Sequence, residues 1–442
     1  MRLSGPDAFA VAGRFFQSNP GIEDAQPRQA LFGKIQDAQD APSLIDWVIA
    51  VKYAAPKSYT GEHMVEIISH GSPIILKKIL ALSLAHGARE ALPGEFTQQA
   101  FINGKIDLVQ AEAVCQLIRA SSERASRLHA QIVSGVLSAR IRSLADALAS
   151  ALAVVEALID HPEETDIAAG VNPQRLAADV EKAKCAMNGL INGFLGARKI
   201  KEGLTLALVG SPNAGKSTLF NALLADDRSI VSPEPGTTRD TVEEALQING
   251  HLVRLIDTAG WRKAQGSIEA MGLERTRRAI RRADGLLWIK DGCSAPDDEQ
   301  EKTLERAINE EHKPFFIIWN KKDKPGFNPG HGNAHEQAQG SAAISALHGD
   351  GLNELRLGLA SLTESAQPKE GEALVTEERQ AQLLQCAHED AAKAIERIKR
   401  EEFELASLDL RHALADTHAI LGAGDVAEEI LAQIFSKFCI GK

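Results

Sequence analysis

The residues best suited to chemistry form the stretch Gly210-Ser211-Pro212-Asn213-Ala214-Gly215-Lys216-Ser217-Thr218. A G-x-x-x-x-G-K-S spacing turns backbone N–H groups toward phosphate oxygens. Lys216 would reach the terminal phosphates and the Ser217 hydroxyl would ligate Mg²⁺, with Ala214, Gly215 and Thr218 completing the cradle. Such a loop works between a strand and a helix N-terminus, whose partial positive charge favours anions. The apolar run from Leu204 to Val209 predicts that strand, and Leu219 to Leu224 opens a helix.

Further loops supply the rest of a nucleotide site. In Gly236-Thr237-Thr238-Arg239-Asp240 a switch threonine would meet Mg²⁺ and the γ-phosphate. Asp257-Thr258-Ala259-Gly260 follows an apolar strand. There Asp257 can hold Mg²⁺ through water and the Gly260 N–H can sense the γ-phosphate. Asn320-Lys321-Lys322-Asp323 also follows an apolar strand. The Asp323 carboxylate can accept both the N1–H and the exocyclic amine of guanine. Adenine offers no such pair, so a site built this way rejects it. The backbone of Ser345-Ala346-Leu347 would bring an N–H to guanine O6. In this order, at strand ends, these loops point to GTP.

Hydrolysis needs a group that orients water and a charge that steadies the transition state. Ras-type GTPases place a glutamine after the D-x-x-G glycine; Trp261 stands there in this chain. Glu269 is an alternative carboxylate, although its spacing reads more readily as a solvated helix-start glutamate. Asn213 offers an oxygen beside the β- and γ-phosphates, where a monovalent cation could do an arginine's electrostatic work. The run Arg275, Arg277, Arg278, Arg281, Arg282 reads as a solvated helix face before it reads as an RNA site. The chain ends in Cys439-Ile440-Gly441-Lys442, and spacing alone leaves the thiol open between inert and reactive.

The elements that must position these residues follow from periodicity. Between 203 and 363 short apolar runs at Leu204 to Val209, Leu252 to Ile256, Leu286 to Ile289, Phe315 to Trp319 and Ala342 to Ile344 alternate with helical patterns. That rhythm predicts a doubly wound α/β domain with its site at the strand C-termini. Residues 1–105 read as mixed α/β, with strands at Leu44 to Val51 and Met64 to Ile68 and a helix from Ile74 to His86. Residues 106–202 read as helical: one long Ala/Leu-rich pattern from Asp107 to Asp160, then Pro173 to Lys199. Residues 364–442 return to amphipathic helix, broken near Gly422. The expected fold class is therefore α/β plus all-α, with the α/β domain inserted into a discontinuous helical one.

Composition sets outer bounds. The 442 residues are too many for one ordinary domain, and 44% hydrophobic with 25% charged residues suits globular cores. A net charge of -11 argues against a surface that coats nucleic acid by itself. The 5 cysteines show no metal-ligand spacing, which suits a reducing compartment. No apolar run is long enough for a bilayer, and no secretory signal pattern opens the chain, so a cytoplasmic protein without a membrane partner is expected.

Over nearly its whole length the sequence resembles the MnmE (TrmE) family of tRNA modification GTPases. The resemblance rests on Arg2-Leu3-Ser4-Gly5, Thr60-Gly61-Glu62, Gly71-Ser72-Pro73, Pro93-Gly94-Glu95-Phe96-Thr97 and Asn103-Gly104-Lys105-Ile106-Asp107-Leu108. It rests also on the phosphate loop, the G-T-T-R-D stretch and, most specifically, Phe438-Cys439-Ile440-Gly441-Lys442. The resemblance implies an N-terminal folate-binding and dimerisation domain, a helical domain and an inserted Ras-like GTPase domain. It implies a homodimer, joined in a heterotetramer to the flavin-dependent partner MnmG, with tRNA held largely by that partner. The complex would add an aminomethyl-type group, such as carboxymethylaminomethyl, at carbon 5 of a wobble uridine. The one-carbon donor would be a tetrahydrofolate derivative, 5-formyl or 5,10-methylene.

Carried over by position, Asn213 would ligate K⁺ with oxygens of Ser232, Glu234 and Thr237, in the nucleotide-contacting stretch Ser232-Pro233-Glu234-Pro235-Gly236-Thr237. Ser217 and Thr238 would ligate Mg²⁺, and Glu269 would orient water. Folate contacts would fall on Arg2, Glu66, Lys105 and Lys442, and Cys439 matches a cysteine important for modification. Family members usually carry a further strand and glycine-rich turn before the R-x-S-G match, so the N-terminal domain is expected to be shortened here. The competing reading is a ribosome-assembly GTPase of the Era/Der type, which would lack this N-terminal region and the C-terminal Cys-Ile-Gly-Lys.

Overall fold

A computed structural model describes residues 1–37, 43–160, 172–226, 243–257, 277–293, 299–329, 338–364, 373–424 and 428–438. The chain forms two compact units, Met1–Gln116 with Ile132–Cys185 and Leu383–Lys442, and Leu117–Gln131 with Ala186–Gln382. Its content is mixed α/β together with long helices.

The first unit holds a five-stranded sheet in the order β1-β5-β4-β3-β2, antiparallel throughout. Its strands are β1 (Arg2–Ser4), β2 (Phe16–Gln17), β3 (Ala30–Asp37), β4 (Ser43–Tyr53) and β5 (Met64–Ile68). Inward residues Leu31, Ile35, Val48, Ala50, Val65 and Ile67 alternate with outward ones along each strand. They pack under α1 (Ala8–Gly13) and α2 (Pro73–Ala85) through Ala12, Ile79 and Leu82. The outward face is also apolar: Phe32 is 67% exposed, Trp47 48%, Ile49 42% and Ile68 57%. Phe32 pairs across to Ile49 and Ile49 to Ile68, and the Phe32 and Trp47 rings stack.

The expected strands at Leu44 to Val51 and Met64 to Ile68 and the helix from Ile74 lie within β4, β5 and α2. Strands β1, β2 and β3 were not expected. The first two are too short to show a period, and β3 carries Gly33 and Lys34, which blur it.

The single helix expected from Asp107 to Asp160 is instead three. They are α4 (Leu108–Arg119), α5 (Glu123–Val133) and α6 (Val136–Asp160), after α3 (Glu95–Ile102). Ser122 ends the run locally, since its hydroxyl caps α5 by accepting the Ala125 N–H at 3.1 Å. Gly135, at φ 95°, breaks the next junction. Asp107 starts α4 and also binds α6: its Oδ1 accepts the Gln110 N–H and the Ser138 hydroxyl, each at 3.0 Å. Its Oδ2 meets Arg142 at 2.6 Å.

Beyond α7 (Pro173–Glu202), the C-terminal region likewise has one more break than expected. At Glu401, φ 60°, the chain leaves helix, and the Glu402 N–H returns to the Arg397 carbonyl at 2.9 Å.

The second unit holds a six-stranded sheet in the order β11-β10-β9-β6-β8-β7. Its strands are β6 (Leu204–Val209), β7 (Glu243–Ile248), β8 (His251–Asp257), β9 (Gly285–Asp291), β10 (Phe315–Asn320) and β11 (Ala338–Ala343). All pairings are parallel except β7 with β8. The strand expected at Ala342 to Ile344 begins four residues earlier, and β7 was not expected. Both faces are buried. Leu206, Leu208, Leu287 and Ile289 pack with α8 (Lys216–Asp226) and α10 (Leu352–Glu364). Ala207, Val209, Leu286 and Trp288 pack with Ile280 and with α9 (Glu299–Glu310). Near-continuous apolar strands are what two covered faces require. Among the remaining elements, α11 (Glu378–Lys399) precedes α12 (Phe403–Leu421) and α13 (Glu428–Ser436).

Candidate nucleotide site and N-terminal cavity

The sheet order reverses at β6, which has β9 on one side and β8 on the other. Ligands of such sheets bind at the strand C-termini of this switch point. The glycine-rich loop begins at that point, directly after Val209, and ends where α8 opens at Lys216. Asn213 takes φ 65°, a left-handed conformation that asparagine tolerates better than most side chains. The Lys216 ammonium lies 2.8 Å from the carbonyls of both Gly210 and Ser211, over the loop it belongs to. Ser217 and Thr218 are exposed in the first turn of α8, and Ala214 is buried beneath the loop.

Asn320 joins three of the predicted loops. Its Nδ2 donates to the Ala214 carbonyl at 2.8 Å, and its Oδ1 accepts the Ala346 N–H at 3.0 Å. Only 3% of the residue is exposed. A Cβ on Gly215 would stand 2.0 Å from Asn320 Nδ2, so this close approach requires glycine. Since Ala346 already spends its N–H on Asn320, contact with a base oxygen falls to other N–H groups of its loop.

Asp323 faces the same place from the next turn. Ser345 donates its hydroxyl to Asp323 Oδ1 at 2.6 Å, and His348 Nε2 lies 3.9 Å from Oδ2. The Ser345 bond, helped by His348, holds the Asp323 carboxyl below its ordinary range, so it stays an ionised acceptor. Leu347 is 73% exposed beside it. Lys321, at φ 71°, pairs its ammonium with Asp291 at the end of β9.

Asp257 ends β8 in register with Leu208, two residues before Gly210. Outside the described residues lie Ser232, Pro233, Glu234, Pro235, Gly236, Thr237, Thr238, Thr258, Ala259, Gly260, Glu269, Cys439 and Lys442. The basic run is described only in part. Arg281 pairs with Glu311 at 2.8 Å, as a solvated helix face would.

In the first unit, β1 pairs with β5 so that Arg2 stands opposite Glu66, and their side chains meet at 2.7 Å. The chain has 2 tyrosines, and both adjoin this pair. Tyr53 donates to Glu66 Oε2 at 3.2 Å, and the Tyr59 ring lies 5.7 Å below the Arg2 guanidinium. Sequence reasoning missed both, although the rarity of tyrosine was a usable signal. Lys105 donates to the Pro56 carbonyl at 3.0 Å, in the same 54–61 loop as Tyr59.

A cavity of about 650 Å³ opens beside this group, lined in part by Arg2, Ser4, Thr60, Glu62, Arg89 and Glu95. Glu66 and Lys105 are not among its lining residues. Ser4 links Thr60 at 2.7 Å and Glu62 at 2.8 Å, and Arg89 pairs with Glu95. The end of the described chain packs close by. Phe435 and Phe438 bury against Ala111 and Cys115, and a Cβ on Gly94 would meet the Phe435 carbonyl at 2.7 Å and Phe438 Cβ at 3.0 Å.

A family model described as the GTP-binding protein TrmE N-terminus matches residues 1–105, and one described as the MnmE helical domain matches residues 108–439. The tRNA modification GTPase MnmE of Aquifex aeolicus is 39% identical over 446 residues, covering 100% of this chain and 96% of the relative. That of Thermotoga petrophila is 38% identical with the same coverage. Among solved structures, a variant of Aquifex aeolicus Era bound to GDP and AlF4⁻ is similar at 26% identity and a TM-score of 0.29, covering 42% of this chain and 66% of that one. The G domain of the Thermotoga maritima FeoB iron transporter gives 23% identity and a TM-score of 0.27, over 36% and 99%.

Proposed function

The chain belongs to the MnmE family of tRNA modification GTPases, and on that premise we propose that it is a GTP hydrolase whose nucleotide cycle drives a tRNA modification. The observation that carries the nucleotide half is the junction at Asn320, which ties the phosphate loop to the base-reading loop beside an ionised Asp323. An acceptor carboxylate there matches the two adjacent donors of guanine.

For hydrolysis, Ser217 and Thr238 would hold Mg²⁺, which would neutralise charge at the β- and γ-phosphates. Asn213, exposed at the loop and in a left-handed conformation, would hold K⁺ together with Ser232, Glu234 and Thr237. Its amide oxygen and the hydroxyl and carboxylate partners are hard donors that suit such a cation. Glu269 would orient the attacking water.

In the N-terminal region, Arg2, Glu66, Lys105 and Lys442 would bind a tetrahydrofolate derivative. Of these, Arg2 lines the cavity of about 650 Å³, which lies in the size range of small-molecule sites, whereas Glu66 and Lys105 stand outside its lining. The Glu66 carboxylate suits an amino-pyrimidine edge, and basic side chains suit a glutamate tail. Folate would supply the one-carbon unit for an aminomethyl-type group at carbon 5 of a wobble uridine. Phe438 packs on Gly94, and Glu95 lines the cavity.

The architecture that fits this role is a discontinuous helical domain, 106–202 and 364–442, interrupted by a GTPase domain at 203–363, after a folate domain at 1–105. The chain would act as a homodimer with the flavin-dependent MnmG, which would hold most of the tRNA, in the cytoplasm. The apolar outer face of β3, β4 and β5 supports pairing with a second copy. An Era/Der-type role is not favoured, because the family matches run from residue 1 to 439.

GTP turnover by the purified chain tests the hydrolytic reading. A rate that rises at least tenfold when K⁺ replaces Na⁺, with ATP inert, is expected. Equal rates in the two salts would remove the cation from the site, and equal use of ATP would remove guanine selection.

A further inference from the structure

Lys321 and Asp291 form an ion pair that nothing above puts to use, and its surroundings give it a task. We propose that Asp291 is a positioning residue for guanine recognition, acting through Lys321 on the loop that carries Asn320 and Asp323. The inference rests on the GTP reading above and adds a residue from a different strand to it.

Lys321 has a backbone φ of 71°, a left-handed conformation that costs energy for a side chain of its kind and must be held from outside. Asp291 Oδ2 takes its ammonium, and Oδ1 accepts the Cys293 N–H at 3.0 Å. The Cys293 sulfur in turn lies 3.8 Å from the Lys321 carbonyl. Between them, the Gly292 N–H donates to the Asn320 carbonyl at 3.0 Å, and the Gly292 carbonyl accepts the Asn328 N–H at 2.9 Å. A Cβ on Gly292 would lie 2.4 Å from the Phe327 ring, so the turn sits flush against the loop. The 291–293 turn is therefore fastened at residues 320, 321 and 328.

The fastening sets what the loop presents. Asn320 faces Ala214 and Ala346, and three residues later Asp323 faces Ser345. Reversal of direction at Lys321 separates these two tasks. The pair is also sheltered, with the Lys321 and Asp291 side chains 22% and 15% exposed. An exposed pair contributes little, but a sheltered one that loses a partner leaves a charge poorly solvated. With its ammonium held, Lys321 loses most rotamer freedom before any ligand arrives, which lowers the ordering cost of binding. Because no part of this brace reaches a terminal phosphate, it acts on GTP and GDP alike.

The test measures nucleotide Kd, KM and kcat for full-length variants. Asp291→Ala should raise the Kd of GTP and GDP by about the same factor, roughly tenfold (about 1.4 kcal/mol), raise KM in parallel and leave kcat at saturation unchanged. Asp291→Asn keeps one acceptor oxygen but puts an amide donor where the other oxygen stood, so it cannot serve both the Lys321 ammonium and the Cys293 N–H and should recover little of the affinity. Asp291→Ser keeps an acceptor for the Cys293 N–H but gives up the ion pair; it should resemble Asp291→Ala and guards against a variant that fails to fold. In a Lys321→Met background, Asp291→Ser should add less than twofold. A Kd within twofold of wild type for Asp291→Ser, fully additive costs with Lys321→Met, or a fall in kcat without a change in KM would overturn the proposal. Wild-type protein that does not bind GTP would instead defeat the GTP reading, and the two failures are distinct.

Discussion

At the scale of the residue, nucleotide choice turns on one carboxylate and one amide. Asp323 is kept ionised by the Ser345 hydroxyl, so it can only accept hydrogen bonds. Asp323→Asn puts a donor where the carboxylate accepted. GTP affinity should fall at least a hundredfold (about 2.7 kcal/mol), while affinity for xanthosine triphosphate, whose 2-position is a carbonyl, should rise. Competition binding with the two nucleotides reads this directly. Asn320→Ala leaves the Ala346 N–H and the Ala214 carbonyl without their buried partner, at a cost of about 1–3 kcal/mol for each group. It should lower Tm by several degrees as well as GTP affinity, separating it from Asp323→Asn, which should leave Tm nearly unchanged.

These residues were legible in the sequence because the chemistry of phosphate and guanine fixes both residue type and spacing. Their supports were not. Asp291 and His348 come to the site through parallel strand pairing and a tight turn, and neither leaves a local pattern. Tyr53 reaches Glu66 from the neighbouring strand β4, and Arg2 joins them, over the Tyr59 ring, because β1 pairs with β5 across more than sixty residues of chain.

At the scale of the element, the four central strands of the second sheet, β6, β8, β9 and β10, were readable as apolar runs because both of their faces are buried, whereas the edge strands β7 and β11 were missed or only partly read. The long Ala/Leu pattern from Asp107 was readable as helix but not as three helices, since its breaks depend on a serine cap and one glycine. The middle helix, α5, carries His129, which is 1% exposed, with Nδ1 lacking a hydrogen-bond partner. Burial, with Lys201 adding to it, lowers its pKa to about 4. Above pH 6.5 the histidine is neutral whether folded or unfolded and contributes no pH dependence. As pH falls below 6.5 the unfolded chain binds a proton that the folded chain refuses. Stability is therefore lost between pH 6.5 and 4, by roughly 3 kcal/mol from this residue. The difference in Tm between wild type and His129→Phe, followed from pH 7 to 4.5, should shift steadily in favour of the variant. A constant difference would mean that His129 is free to protonate in the folded state.

At the scale of the whole molecule, the proposed account divides labour between a nucleotide site and chemistry at the two ends of the chain. Phe438, the last described residue, packs against Gly94 and the α4 residues Ala111 and Cys115. Phe438→Ala should therefore leave GTP turnover within about threefold while reducing tRNA modification by tenfold or more, measured with the proposed flavin-dependent partner present. A parallel loss of both would mean that Phe438 supports the fold rather than the tail.

The most direct measurement of the central claim is nucleoside analysis of tRNA from a bacterial strain deleted for its own family member and supplied with this chain. The account predicts that C5-substituted wobble uridines return with the wild-type chain and stay absent with Lys216→Ala, at equal protein levels. Full restoration by Lys216→Ala, or none by well-expressed wild type, would contradict it.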